Sequence, residues 1–180
     1  MHAALFCNLE SLVTPHIETL CEELSKVLLH KHLCMATAES CTGGLISASC
    51  TELSGSSLWF ERGFVTYSNA AKTQMLGVPA PLIEAHGAVS EEVVKAMAIG
   101  ALMHSAADCS LAVTGIAGPT GGSKAKPVGT VWLAWAWRDQ AKVMNCQSLL
   151  QLFPGSRSEV RLATAELALA RLKEIVHLHL

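Results

Sequence analysis

The chain is predicted to be an α/β protein, a three-layer α/β/α sandwich on a mixed, mostly parallel sheet. Three observations carry that expectation. Short apolar runs alternate with segments whose apolar residues recur at helical spacing, as in a strand-and-helix fold. One such run is followed by a glycine pair, Gly43-Gly44, that opens onto a helical segment. Towards the C-terminus, 128–137 and 143–153 read as two longer strands that can pair antiparallel, which makes the sheet mixed.

Residues 1–13 show no clean period and read as a loosely held arm. Thr14-Pro15 then opens the first helix, a capping residue ahead of a proline whose missing N–H is not needed there. Ile17, Leu20, Cys21, Leu24, Val27 and Leu28 form its apolar stripe. Residues 34–38 are a short apolar strand and 45–53 a helix rich in small residues. A strand over 58–68 precedes a helix over 70–76 stopped by Gly77, and Pro79 and Pro81 mark the next stretch as a connection. Ser90 caps a helix reaching Ser105, with Glu91 and Glu92 at its positive end. Residues 109–114 read as a buried strand, 115–122 as a glycine-rich loop, and Pro154-Gly155-Ser156-Arg157 as the lead into a last helix. Along that helix Val160, Ala163, Leu167 and Ala170 make one apolar line, widened by Leu169, Leu172 and Val176. No repeat or long linker interrupts the 180 residues, so one domain over 1–180 with one hydrophobic core is expected.

Composition narrows the function classes. With 51% apolar and 16% charged residues, the chain is far from the disordered class. Its net charge is −2 and no Lys/Arg stripe is present to neutralise a polynucleotide, so nucleic acid is not an expected partner. The longest apolar stretches, such as 131–137, are too short to cross a bilayer, and no signal core follows a basic start; a soluble, cytoplasmic protein is expected. Seven scattered cysteines fit buried thiols in a reducing compartment. His30-x-His32 and His177-x-His179 lack thiol or carboxylate partners at ligand spacing, so they read as solvated or helix-end histidines and no metal is expected. Trp132, Trp135 and Trp137 read as core or subunit interface, and with the apolar composition they suggest a homodimer.

The chemistry concentrates in two segments, Ala38-Glu-Ser-Cys-Thr-Gly-Gly44 and Thr66-Tyr-Ser-Asn-Ala-Ala-Lys72. Ser40 falls after a strand and near a helix start, where unpaired amides can hold an oxyanion or a phosphate. The same pattern also reads as a plain helix cap with a glycine turn, and Glu39 as a residue that orients a neighbour or closes the turn. A serine hydroxyl needs a base, and Lys72 or Tyr67 can serve if burial or a neighbouring charge depresses its pKa. Without that, Lys72 is a surface lysine and Tyr67, the single tyrosine of the chain, a core residue. The loop 114–122 lacks the ending of a Walker loop and the spacing of a dinucleotide fingerprint, which leaves close backbone approach to a small ligand. Arg157 at a helix start can bind a phosphate or simply face solvent.

Together, 38–44, Gly63-Phe-Val-Thr-Tyr-Ser-Asn69, His86-Gly-Ala-Val-Ser90, Thr114-Gly-Ile-Ala-Gly-Pro119 and Lys126-Pro-Val-Gly-Thr130 closely resemble the CinA C-terminal family, over roughly 20–172. The resemblance implies deamidation of nicotinamide mononucleotide to nicotinate mononucleotide and ammonia, in pyridine-nucleotide recycling, without metal or organic cofactor. It implies Ser40 as nucleophile with Tyr67 and Lys72 as activators. Thr42, Gly43, Gly44, Asn69, Thr114, Gly115, Gly118 and Arg157 would bind substrate, the amides of 42–44 or of the 114–118 loop holding the oxyanion and Arg157 the phosphate. The chain resembles the family's stand-alone form rather than the form fused to a molybdopterin-binding-like domain. It departs from the pattern at Ser156, where the family often has aspartate next to the arginine, and at Leu162, often polar; loss of the carboxylate is expected to loosen Arg157. A non-catalytic nucleotide- or partner-binding module, and an amidase for another phosphorylated amide, stay open.

Overall fold

The computed structural model describes residues 14–180, so the arm expected over 1–13 lies outside the described residues. Helix α1 (Pro15–His30) starts as its sequence requires, with the Thr14 hydroxyl accepting from the Ile17 amide at 3.2 Å. It leads into β1 (Met35–Glu39), α2 (Leu45–Thr51), a 3₁₀ turn at Ser56–Leu58, β2 (Phe60–Val65) and α3 (Asn69–Leu76). Then come α4 (Ala80–His86), α5 (Glu91–Met103), β3 (Cys109–Gly115), the hairpin β4 (Thr130–Arg138) and β5 (Met144–Leu152), and α6 (Arg157–His179).

The connection expected around Pro79 and Pro81 is instead the start of α4. Pro79 is its N-cap and Pro81 stands in the first turn, where a missing N–H breaks no intrahelical bond. The strand expected over 58–68 ends at Val65, because Ser68 turns away to cap α3 through the Ala71 amide.

The five strands lie in the order β2-β1-β3-β4-β5. Strand β1 pairs in parallel with β2 and with β3, whereas β4 runs antiparallel to both β3 and β5. Four of the five strands therefore point the same way, and their carboxyl ends share one edge. There the chain emerges at Ser40, Thr66 and Ile116, and there α6 begins after β5.

Helices cover both faces, so the single core expected from chain length is two apolar layers. Strand pleating sorts their side chains by size. Met35, Leu111, Val113, Val131, Leu133, Trp135 and Trp137 face α1, α2 and α6. Ala36, Ala38, Ala112, Ala134 and Ala136 face the layer of α3, α4 and α5. Trp135 and Trp137 thus belong to the interior of this chain, and Trp135 donates its indole N–H to the Ala168 carbonyl at 3.0 Å. The buried stripe of α6 is Val160, Thr164, Ala165, Ala168, Leu169, Leu172, Ile175 and Val176. Ala163, Leu167 and Ala170 of the expected line are only half-buried, since so many small residues on this helix leave its apolar face ambiguous.

On the alanine side α5 reaches α3 through Gly100, where a Cβ would lie 2.1 Å from the Leu76 carbonyl oxygen. Gly100→Ala would gain ~1 kcal/mol of helix propensity. Overpacking against a backbone group that cannot rotate away outweighs it, at roughly 1–3 kcal/mol. A lowered urea midpoint is the expected result, and an unchanged midpoint would show that α3 slides freely on α5.

Candidate active site

Ser40 leaves β1 with its amide donating to the Val113 carbonyl at 3.0 Å, which fixes it at the junction of β1 and β3. Its Oγ lies 3.0 Å from Nζ of Lys72, and that nitrogen also reaches the Thr66 carbonyl at 2.8 Å. The sequence pattern taken alone suggests a surface lysine and a core tyrosine; the structure reverses both. Lys72 is 1% exposed and Tyr67 63%. Burial pushes the Lys72 amine below its ordinary value. A proton can pass either way across the Ser40–Lys72 contact, the ammonium donating to Oγ or the neutral amine accepting from the hydroxyl.

The neighbouring thiol does not compete. Cys41 is buried, and burial pushes its pKa up to about 12, so it carries no thiolate at neutral pH.

Glu39 builds the turn. Its side chain is fully buried at the start of α2, and its carboxylate accepts four hydrogen bonds. The Gly44 and Ile46 amides reach Oε2 at 3.0 and 3.1 Å, and the Ser47 amide and hydroxyl reach Oε1 at 2.8 and 2.6 Å. Negative charge at a helix N-terminus is favourable, and here it replaces solvent for three orphan amides. Gly43 donates to the Ser40 carbonyl, and Gly43 and Gly44 both have positive φ, 61° and 92°. The Gly43 and Gly44 amides, expected to hold an oxyanion, are therefore already engaged. Among the described residues the amides of Cys41 and Thr42, which face only the Cys41 sulfur, and those of Ala117 and Gly118 in the loop after β3 donate to no oxygen of the protein.

The other expected residues fall into two groups. Arg157 stands at the mouth, donating to the Gly118 carbonyl at 3.1 Å and to the Tyr67 hydroxyl at 3.3 Å. Tyr67 thus pairs with Arg157, and no hydrogen bond joins it to Ser40 or Lys72 among the described residues. Ser156, at the position of the family's aspartate, is the N-cap of α6. Its hydroxyl accepts from the Glu159 amide while the Glu159 carboxylate accepts from the Ser156 amide. Serine and aspartate cap equally well, and with serine here Arg157 takes its anchors from the Gly118 carbonyl and the Tyr67 hydroxyl.

Away from the mouth, Asn69 is exposed at the start of α3 and lines a groove between α3 and α4. Thr114 is buried, and its hydroxyl donates to the Ala88 carbonyl at 2.8 Å. Gly115 ends β3, where a Cβ would meet the Thr130 carbonyl oxygen at 2.7 Å. The motif 86–90 forms the turn from α4 to α5, pinned by Thr114 and by Lys126, whose Nζ donates to the Val89 carbonyl at 2.7 Å. Sequence reasoning passed over Arg161. It lies one turn beyond Arg157 and donates from Nε and Nη2 to the Thr42 carbonyl, at 3.1 and 2.6 Å.

Glu39→Gln would place an amide NH₂ against donors that cannot turn away. A loss of about 2–3 kcal/mol is expected from the unsatisfied amides, read as a lower denaturant midpoint. Wild-type stability would mean the carboxylate is not what holds α2.

Comparison with known proteins places the chain among relatives. Residues 17–176 match the family model described as the CinA C-terminal domain. The chain is 50% identical over 147 residues to the nicotinamide-nucleotide amidohydrolase PncC of Enterobacter agglomerans, covering 82% of this chain and 87% of that protein. It is 58% identical over 125 residues to a CinA-like protein of Colwellia psychrerythraea, covering 69% of this chain but only 29% of that longer one. The crystal structure of the competence/damage inducible protein CihA from Agrobacterium tumefaciens superposes with a TM-score of 0.84 at 44% identity, over 92% of this chain and 98% of that one.

Proposed function

The chain belongs to the CinA C-terminal domain family, and we propose that it hydrolyses the carboxamide of nicotinamide mononucleotide, giving nicotinate mononucleotide and ammonia. The observation that carries this reading is the buried lysine in hydrogen-bond contact with a serine at the carboxyl edge of the sheet. It is supported by the similarity to amidohydrolases along most of their length.

In this mechanism neutral Lys72 takes the Ser40 proton as Oγ attacks the carboxamide carbon. The oxyanion forms against the amides that Glu39 and the turn leave unengaged, those of Cys41 and Thr42 or of Ala117 and Gly118. Protonated Lys72 then returns the proton to the departing nitrogen, releasing ammonia and an ester on Ser40. Water, deprotonated by Lys72, hydrolyses that ester and restores the serine. Lys72 acts directly, without a relay through Tyr67. Tyr67 and Arg157 form the rim that receives the nucleotide, with the guanidinium and the first amides of α6 on its phosphate.

The reading includes a cytoplasmic homodimer. Supporting the dimer are the exposed leucines of edge strand β5, Leu150 at 49% and Leu152 at 57%. No helix among the described residues is long and apolar enough to cross a membrane. Light scattering on the purified chain should give twice the 19.1 kDa chain mass, and a single-chain mass would remove the dimer.

Ammonia release from nicotinamide mononucleotide is expected from wild type and not from Ser40→Ala or Lys72→Met. Thermal stabilisation by the nucleotide without ammonia would instead mark a binding module. The rate should rise with pH through a value below the ~10.4 of ordinary lysine. Because the folded state holds fewer protons than the unfolded chain between the lowered value and ~10.4, Lys72 makes stability climb with pH across that window. Lys72→Met should flatten the climb, and an unchanged slope of stability against pH would refute the desolvated amine.

A further inference from the structure

Thr42 is wholly buried, yet its amide donates to no oxygen and its hydroxyl has no partner among the described residues. What holds it is its carbonyl oxygen, which accepts from the Leu45 amide at 3.3 Å and from two nitrogens of Arg161 at 3.1 and 2.6 Å. Arg161 comes from α6, 119 residues away in sequence. A hollow lined by Gly43, Gly44, Ser158, Arg161 and Leu162 separates the rest of that helix from the turn. The guanidinium fork therefore crosses from α6 to the turn beside this hollow, and two N–H groups on one oxygen fix direction as well as distance.

We propose that Arg161 is a positioning residue for the reaction: by holding the Thr42 carbonyl it sets the backbone of the Ser40-Cys41-Thr42 turn and so aims the nucleophile and the unengaged amides. This rests on the amidase reading and adds a residue to it. Glu39 pulls the turn from the α2 side through the Gly44 amide, and Arg161 holds it from the α6 side through the carbonyl two residues earlier. The nucleophile turn is thus clamped between a buried negative and a half-buried positive side chain that do not touch each other. Arg157, one helical turn away on the same face, contacts the rim and not the turn, so the two arginines should separate kinetically.

The test is steady-state ammonia release by Arg161→Met and Arg161→Lys beside wild type, Arg157→Ala and Leu162→Ala. Arg161→Met keeps most of the stem and loses the fork; its kcat should fall roughly 10–100-fold with KM within about twofold. Arg161→Lys should fall between. Arg157→Ala should instead raise KM, because it removes binding common to ground and transition states. Leu162→Ala lines the same hollow without touching Thr42, and should lower Tm while keeping kcat.

Amide hydrogen exchange at Gly43 and Leu45 supplies a readout independent of turnover. Exchange there should quicken in Arg161→Met and not in Leu162→Ala. A kcat for Arg161→Met within about threefold of wild type, or a loss confined to KM, would overturn the proposal. If Arg161→Met does not fold, Arg161→Lys decides by the same criteria. If wild type releases no ammonia, the amidase reading fails by itself, and the exchange comparison still decides whether Arg161 holds the turn.

Discussion

A carboxylate sealed against a helix N-terminus organises everything around it. Glu39 ends β1, and by accepting from Gly44, Ile46 and Ser47 it dictates where α2 begins. Had those amides stayed open, the helix start would have been a generic anion site. With them filled by an internal charge, binding capacity moves outward, to the turn that carries Ser40 and to the loop after β3. The glycines next to the serine are needed for the chain to turn back onto Glu39, which is why their φ values are positive and their amides engaged.

Lys72 sits in tension with this arrangement. It is almost completely buried, and among the described residues its nitrogen touches a hydroxyl and a carbonyl oxygen and no carboxylate. Solvation lost by an ammonium is not fully recovered by such partners, so burial shifts Lys72 towards the neutral amine. Instability of the charged form and competence as a base are the same physical fact. Sites of this kind commonly give up folding free energy for reactivity.

Much of this was legible beforehand. The cap at Thr14, the strand, turn and helix around Ser40, the α5 cap at Ser90 and the β4–β5 hairpin follow from local rules, and they stand within a few residues of where those rules put them. Local rules misjudged α4, since a proline in a first turn and a proline in a loop give the same signal. They misjudged α6 too, where alanine is apolar enough to suit several faces. At the site, residue types pointed to Ser40 and Lys72, but which side chain is buried is decided by tertiary packing; Lys72 and Tyr67 exchange their ordinary environments for that reason. The sequence left Glu39 either orienting a neighbour or closing the turn, and it closes the turn; Arg161 escaped because its work is done on a backbone oxygen, and Thr42 carries no mark of it.

The sorting of side chains across the sheet has a mechanical consequence. Between the sheet and α5 lie alanines at 36, 38, 112, 134 and 136, and α3 leans on α5 through a glycine. The sheet's side of the spacing between the strands and α5 is therefore gauged by single methyl groups, the thinnest spacer a side chain can provide. Such a spacer has no rotamers and little compressibility, so thermal fluctuation on that side is passed on as rigid displacement of helices rather than absorbed. The face bearing tryptophan, leucine and methionine can repack when disturbed. The alanine face acts as a fixed shim beneath the helices that carry the lysine of the site.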